Sequence, residues 1–162
     1  MNKRVLLLCE LHHAETELGE TYRAVAKRQA ADHGTYYPCR TLADQCDQHA
    51  EHLRVWAERL GAELHPAQRS EALSTVQDAL RRKPLAFRTE AALLLLDDLC
   101  ELYVQAESVN IHWVMLGQLA QALRDPDMVT EVSTLHGENL NQAKWLKTRI
   151  KEVTPQALLA TD

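Results

Sequence analysis

Apolar residues recur at steps of three and four along most of the chain, which is the spacing of one face of an α-helix. The pattern predicts four long helices over residues 3–33, 36–60, 86–123 and 126–152. Gly34 and Gly61 follow the first two helices as left-handed stops. Asp125 and Pro126 suit the N-cap and first position of the fourth helix, and Pro155 begins a short tail. The apolar seam of the first helix comprises Leu8, Leu11, Glu15, Leu18, Tyr22 and Val25.

A connector over residues 62–85 separates the second helix from the third and holds a short amphipathic helix near residues 70–82. With about 13 residues helical at ~1.5 Å each and the rest extended at ~3.3 Å, it reaches ~55 Å. A ~27-residue helix is only ~40 Å long. The sequence therefore predicts an all-α four-helix bundle of two antiparallel hairpins joined by a long crossover, which leaves the second and third helices parallel.

Composition indicates a single domain over residues 1–162, because 46% hydrophobic and 25% charged residues suit one buried core. Five glycines, five prolines and a single phenylalanine leave few strand or turn signals. The net charge of -5 comes without a basic block. Since nucleic-acid binders concentrate Lys and Arg on one face, we expect no nucleic-acid partner.

Two apolar runs are too short for an export signal or a membrane span. MNKRVLLLC is followed at once by Glu10, whereas export signals need roughly 7 to 15 apolar residues. The run over residues 91–99 is broken by Asp97 and Asp98, and a span needs about 20 residues. We expect a cytoplasmic protein without membrane contact. We also expect reduced thiols, packed as small apolar groups, at Cys9, Cys39, Cys46 and Cys100.

Two histidines interrupt the apolar seams of predicted helices. His49 lies in the second helix, within CDQHAEHL, and His136 lies in the fourth. Counted from the hairpin turns at ~1.5 Å per residue, both fall near the middle of the bundle, within about one turn of each other. We therefore expect a shared central layer. His52 lies off the seam, so the His-x-x-His pair is not expected to chelate as a unit.

Helix order, loop lengths and in-facing polar residues over nearly the whole chain resemble the ferritin-like superfamily, and more loosely its small bacterial members. The resemblance implies a di-iron carboxylate site, in which one Glu from each of two helices joins a Glu-x-x-His pair from each of the others. His49 and His136 match the histidines of that motif. Cys46 and Ser133 stand where it has glutamates. The motif is therefore degenerate, and no cofactor is favoured.

The acidic residues are predicted to lie at other levels along the bundle axis than His49, or beside the apolar seam of their helix. Glu15 should lie ~9 Å further along the axis than His49, so we do not expect these two to pair as ligands. On the third helix, Asn110 and Trp113 reach the central layer. Iron and manganese need several anionic oxygen ligands, while a single zinc ion could use imidazoles. The candidates for a metal site are His49, His136, Glu15, Glu101 and Glu107.

The competing interpretation treats both histidines as core residues held by hydrogen bonds. Their partners in such a polar core layer would be Tyr22, Asn110, Ser133 and Asn139. Because such a layer fixes helix register and performs no chemistry, we favour a non-catalytic ferritin-like bundle acting as an interaction or structural protein. The alternative is a metal-binding ferritin-like protein, either an iron or manganese oxidoreductase or an iron-handling protein.

The third helix is apolar over more than one face, especially at residues 93–96 and 111–116. A helix in a monomeric bundle needs only one apolar face, since the opposite side meets water. We therefore expect a homo-oligomer, with a dimer favoured.

Overall fold

The structure, a computed structural model, describes residues 2–64 and 90–159. Its regular elements are α1 (Lys3–Arg28), α2 (His33–Arg59), α3 (Ala91–Ala122) and α4 (Pro126–Leu159). No strand occurs in these two ranges, so the all-α prediction is confirmed for them. The predicted helix over residues 70–82, and most of the predicted connector, lie outside the described residues.

The turn between α1 and α2 lies earlier than predicted. α1 ends at Arg28, and Asp32 accepts the backbone N–H of Tyr36 at 2.8 Å to open α2 at His33. Gly34 therefore lies inside the first turn of α2, and the prediction that it stops the first helix is wrong. The physical reason is that residues 29–32 already close the turn, with the N–H of Asp32 bound to the carbonyl of Gln29 at 2.9 Å.

The ends of the other helices agree in part with the sequence. Gly61, at φ 77°, takes the left-handed conformation after α2 as predicted. Asp125 caps α4, because its Oδ1 accepts the N–H of Met128 at 3.0 Å, and Pro126 is the first helical residue. The predicted tail at Pro155 is wrong. α4 continues to Leu159 because its packed face extends past the proline, with Val153 and Ala157 both buried.

The core lies between the inward faces of the helices. α1 packs against α2 and α3, and α3 packs against α4. Burying each large apolar side chain contributes roughly 1.5–3 kcal/mol relative to leaving it exposed. The largest apolar side chains that are completely buried are Leu8, Leu11, Leu18, Tyr22, Leu53, Leu99, Leu102, Trp113, Leu116 and Leu146.

α3 is apolar on its outer side as well as its inner side. Leu116 is buried, and Leu93, Leu95 and Leu96 pack partly buried against the core. Large apolar side chains remain exposed at Leu94, Val104, Ile111, Val114 and Met115. Among the helices of residues 2–64 and 90–159, none has the combination of length and apolar content that crossing a membrane requires.

Candidate functional site

His49 lies in a buried group of side chains to which all four helices contribute. His49 on α2 and Glu15 on α1 have completely buried side chains. Nδ1 of His49 lies 2.9 Å from Oε1 of Glu15, and Nε2 lies 2.7 Å from Oε2 of Glu138 on α4. Trp113 on α3 donates its indole N–H to the same Glu15 oxygen at 2.7 Å and packs edge-on against the imidazole. We call these four residues the His49 network.

The protonation of His49 follows from its two partners. Ionised carboxylates only accept hydrogen bonds, so both ring nitrogens must donate if both glutamates are ionised. Burial lowers the pKa of His49, but the hydrogen bonds and charges of Glu15 and Glu138 outweigh it, and the pKa is raised above its ordinary value. We therefore assign an imidazolium ion held between two carboxylates.

Glu15 has one satisfied and one unsatisfied oxygen. Oε1 accepts from both Trp113 and His49, while Oε2 is buried and has no hydrogen-bond partner within the described residues. Burial, followed by the charge of Glu15, raises the pKa of the Cys46 thiol well above its ordinary value. The Glu138 side chain is 37% exposed, so the network meets solvent on the α4 side.

The expected height difference between Glu15 and His49 is wrong. It assumed a turn centred near residue 35, whereas the turn lies between Arg28 and His33, centred between residues 30 and 31. Counted from there, Glu15 and His49 differ by about three residues, or ~4.5 Å along the axis, which their side chains span. The expectation that the buried imidazoles lack acidic neighbours is therefore also wrong for His49.

Glu138 was not among the predicted site residues. It lies three residues after Leu135 and four before Gln142, both of which are buried. That spacing places Glu138 at the edge of the packed face of α4, within reach of α2. The sequence shows this edge position but not the contact with His49, and neighbouring Asn139 fits the predicted apolar seam better.

His136 belongs to a different polar group. Its Nε2 lies 2.6 Å from Oδ1 of Asn110, whose amide nitrogen donates to Oε2 of Glu107 at 3.2 Å. Burial lowers the pKa of His136, which keeps the ring neutral at pH 7 with the proton on Nε2. The hydrogen-bond partners of His136 therefore differ from those of His49, although His49 contacts Glu138, only two residues from His136 on α4.

The other predicted polar residues are also divided. The Tyr22 hydroxyl donates to Oε1 of Gln142 at 3.2 Å, and Gln142 donates to Gln45 at 2.7 Å. Asn139 donates to the carbonyl of Ala106 at 3.4 Å, and its Oδ1 is buried without a partner among the described residues. The buried amides on α4 therefore serve α1, α2 and α3, and none of these bonds reaches a histidine.

Glu101 and Ser133 are not members of the His49 network. Glu101 accepts from Gln105 one turn further along α3, at 3.4 Å. Ser133 and His136 line a cavity of about 250 Å³ between α3 and α4. Its remaining lining residues are Trp113, Val114, Gly117, Gln118, Gln121, Val129 and Val132.

The donor set does not fit a di-iron site of ferritin type. That site uses four carboxylates and two histidines, whereas the His49 network supplies two carboxylates and one imidazole. Trp113, on α3, contributes an N–H donor and no lone pair. Across the described parts of the chain, no three or more His, Cys, Asp or Glu side chains are arranged to hold a metal ion. The nitrogens of His49 instead point at two carboxylates on opposite sides of the ring.

The same contacts limit what the site can do chemically. Both nitrogens of His49 are engaged, so the ring has no lone pair with which to take a proton from Cys46 or from a substrate. The raised pKa of Cys46 keeps its thiol protonated, which is the unreactive form. No protein-family model, curated protein or solved structure matches the chain.

Proposed function

We propose that the protein is a non-catalytic bundle of ferritin-like topology that serves as a structural or interaction protein. The observation that carries this proposal is the pairing of both His49 nitrogens with Glu15 and Glu138. Each bond joins α2 to a different helix, so sliding α1 by one turn would break a buried charged hydrogen bond, and sliding α4 would break a part-buried one. Breaking such a bond costs several kcal/mol, on the order of 3–5 for a buried pair. The network therefore favours a single register.

The order of contacts along the helices supports the crossover topology. In every contacting helix pair, residue numbers rise along one helix as they fall along the other, which indicates antiparallel neighbours. Antiparallel neighbours of this kind would leave α2 and α3 parallel to each other, and parallel helices joined in sequence need a connection as long as the bundle. The contacts between α1 and α2 are Glu15–His49 and Arg23–Asp47, and those between α1 and α3 are Glu15–Trp113 and Arg28–Asp98. The contacts between α2 and α4 are Gln45–Gln142 and Trp56–Glu131, and those between α3 and α4 are Ala106–Asn139 and Asn110–His136.

One observation favours the alternative, a metal-binding protein. Oε2 of Glu15 is buried without a hydrogen-bond partner in the described residues, and leaving such a group unsatisfied costs free energy. A cation bound there would satisfy it. Iron and manganese are the ions that the ferritin-like resemblance implies, and Glu15 is the residue through which such an ion would bind.

Metal content and metal-induced stabilisation separate the two functions. The chain is purified without a metal-affinity tag, analysed for metals, and then melted with and without added Fe²⁺, Mn²⁺ or Zn²⁺. A site at one hundred times its Kd would add about 2.7 kcal/mol to the free energy of unfolding. We expect no stoichiometric metal and no rise in Tm. Stoichiometric metal that is lost in Glu15→Gln, but kept in the α3 control His112→Ala, would overturn the non-catalytic assignment.

A further inference from the structure

The cavity between α3 and α4 has a volume of about 250 Å³, and no charged side chain lines it among the described residues. Trp113 and Val114 on α3, with Val129 and Val132 on α4, give it apolar walls. Gly117 lines the cavity without a side chain, and a Cβ at this position would lie 3.8 Å from Cγ1 of Val132. The missing side chain of Gly117 therefore leaves room for a ligand between the two helices.

His136 supplies a hydrogen-bond acceptor beside these walls. Its Nε2 donates to Oδ1 of Asn110 at 2.6 Å, and the bond from the Asn110 nitrogen to Glu107, at 3.2 Å, sets the orientation of that amide. With the proton on Nε2, the Nδ1 atom carries a lone pair. No described residue donates to Nδ1, although the side chain lines the cavity. Glu107 and Asn110 therefore hold the imidazole in the tautomer that accepts a hydrogen bond from a ligand.

Ser133 is the second small polar group at the same place. It lies three residues before His136, on the same face of α4, and it also lines the cavity. Its hydroxyl group both donates and accepts hydrogen bonds. Ser133 is exposed, and Val114 on the α3 side is 48% exposed. A ligand can therefore reach the cavity from solvent.

We propose that this cavity binds a small neutral aromatic alcohol of the phenol class, with its ring between the apolar walls and its hydroxyl group bonded to His136. Benzene occupies an apolar cavity of about 150 Å³, so a cavity of about 250 Å³ admits one ring with a few substituent atoms. A phenol donates one hydrogen bond to Nδ1 of His136 and accepts one from Ser133. It is uncharged at pH 7, because phenolic hydroxyl groups have a pKa of about 10.

The lining disfavours other ligands of the same size. A carboxylate or an amine would bring a charge that no described lining residue balances, and an unpaired charge is costly to remove from water. An aromatic ligand without an O–H or N–H group would cover Nδ1 of His136 and leave it unpaired. An aliphatic alcohol would lose the additional attraction that an aromatic ring gains beside the indole of Trp113.

The choice of ligand is tested with two isomers, 4-methylphenol and methoxybenzene, of which only the first has an O–H donor. Both are titrated into the full chain and followed by two-dimensional NMR. We expect 4-methylphenol to bind with a Kd on the order of 0.1–1 mM, as suits a ligand of this size. Methoxybenzene should bind about fivefold more weakly, because one hydrogen bond is lost. Benzoate should bind more weakly than 4-methylphenol. Among the indole N–H signals of the three tryptophans, that of Trp113, assigned with Trp113→Phe, should move most.

The location of the site is tested with variants. Gly117→Leu places a side chain in the cavity and should abolish saturable binding of both isomers. The control is Gly137→Leu on α4, where an added Cβ meets no atom within 4 Å, and it should leave both Kd values unchanged. His136→Phe should weaken 4-methylphenol about fivefold and change methoxybenzene by less than about twofold. Circular dichroism shows whether each variant is folded, and His136→Phe decides the question if Gly117→Leu is not.

Four results would each overturn the proposal. They are no saturable binding of 4-methylphenol below about 10 mM, equal affinity for methoxybenzene, benzoate binding as tight as that of 4-methylphenol, and 4-methylphenol binding unchanged in a folded Gly117→Leu or His136→Phe variant. The inference goes beyond the proposed structural role of the bundle. None of these outcomes bears on the pairing of His49 with its two glutamates.

Discussion

Oε1 of Glu15 lies 2.9 Å from Nδ1 of His49, and both side chains are completely excluded from solvent. The two residues are 34 positions apart, so this bond joins α1 to α2 inside the core. Taking both charges out of water is costly. Their attraction for each other, together with the hydrogen bond from the indole N–H of Trp113 to Glu15, offsets that cost. The balance is lost when one partner is removed alone, since the other remains as an unpaired buried charge.

Removal of the imidazole should therefore be strongly destabilising. In His49→Ala the Glu15 carboxylate keeps only the Trp113 bond, and we expect the free energy of unfolding to fall by about 3–5 kcal/mol. Urea unfolding followed by circular dichroism measures this change. The control is His13→Ala. The His13 side chain is 45% exposed, so its removal should change the free energy of unfolding by about 0.5 kcal/mol or less. A loss of under about 1 kcal/mol in His49→Ala would show that the network contributes little to folding.

The stabilising effect of His49 should depend on pH in a defined direction. Its pKa is raised in the folded state, so its contribution is fully present below the unfolded pKa of about 6.5 and is lost as pH rises through the folded pKa. The difference in unfolding free energy between wild type and His49→Gln should thus be larger at about pH 6 than at about pH 9.

The comparison with His49→Gln also cancels the effect of other titrating groups on the unfolding free energy. Burial lowers the pKa values of His12 and His136, which act in the opposite sense on stability but are present in both proteins. The charged groups facing His49 are Glu15 from α1 and Glu138 from α4, while α3 presents the neutral Trp113. A difference that stays constant or grows with rising pH would contradict the imidazolium assignment.

Cysteine reactivity should follow burial. Cys100 is exposed, whereas Cys39 and Cys46 are buried, and burial raises the pKa of Cys39 to about 12. Because the thiolate is the reactive form, a thiol reagent should modify Cys100 first and reach Cys39 and Cys46 only upon unfolding. Cys100→Ser should abolish the fastest phase of labelling. A fast phase that persists in this variant would mean that the core opens near the buried thiols.

The packed faces of the helices could be predicted from the sequence, because helical periodicity depends only on local spacing. Every residue of the predicted α1 seam, from Leu8 to Val25, is completely buried, including Glu15. The pairing of Glu15 with His49 could not be predicted, because heights in a hairpin are counted from the turn in both directions. An error of four to five residues in the turn centre therefore shifts the expected position of both residues, in opposite directions, and changes their expected separation along the axis by roughly 13 Å.

Glu138 shows a second limit of sequence reasoning. It lies beside the seam rather than in it, and a long side chain at such an edge can turn to solvent or reach across to the neighbouring helix. The choice depends on where His49 presents its Nε2 atom, and that is settled by the register of α2 against α4. Contacts of this kind follow from the packed bundle and have no signature in local spacing.

Two glycines in helix interiors should respond oppositely to replacement by alanine. At Gly137 on α4 an added Cβ meets no atom within 4 Å, so Gly137→Ala gains helix propensity and should stabilise the protein by about 0.5–1 kcal/mol. At Gly19 on α1 the Cβ would lie 3.2 Å from the Cβ of Cys46 and 3.6 Å from the carbonyl oxygen of Ala43.

These neighbours of Gly19 belong to the α2 backbone or are attached directly to it, so they move only if the helices separate next to His49. We expect Gly19→Ala to destabilise by about 1–3 kcal/mol despite its gain in propensity. Urea unfolding of both variants under the same conditions shows whether each substitution raises or lowers the free energy of unfolding. If Gly19→Ala were as stabilising as Gly137→Ala, α1 and α2 could separate at no cost, and the close approach that brings Glu15 to His49 would not be a constraint on the fold.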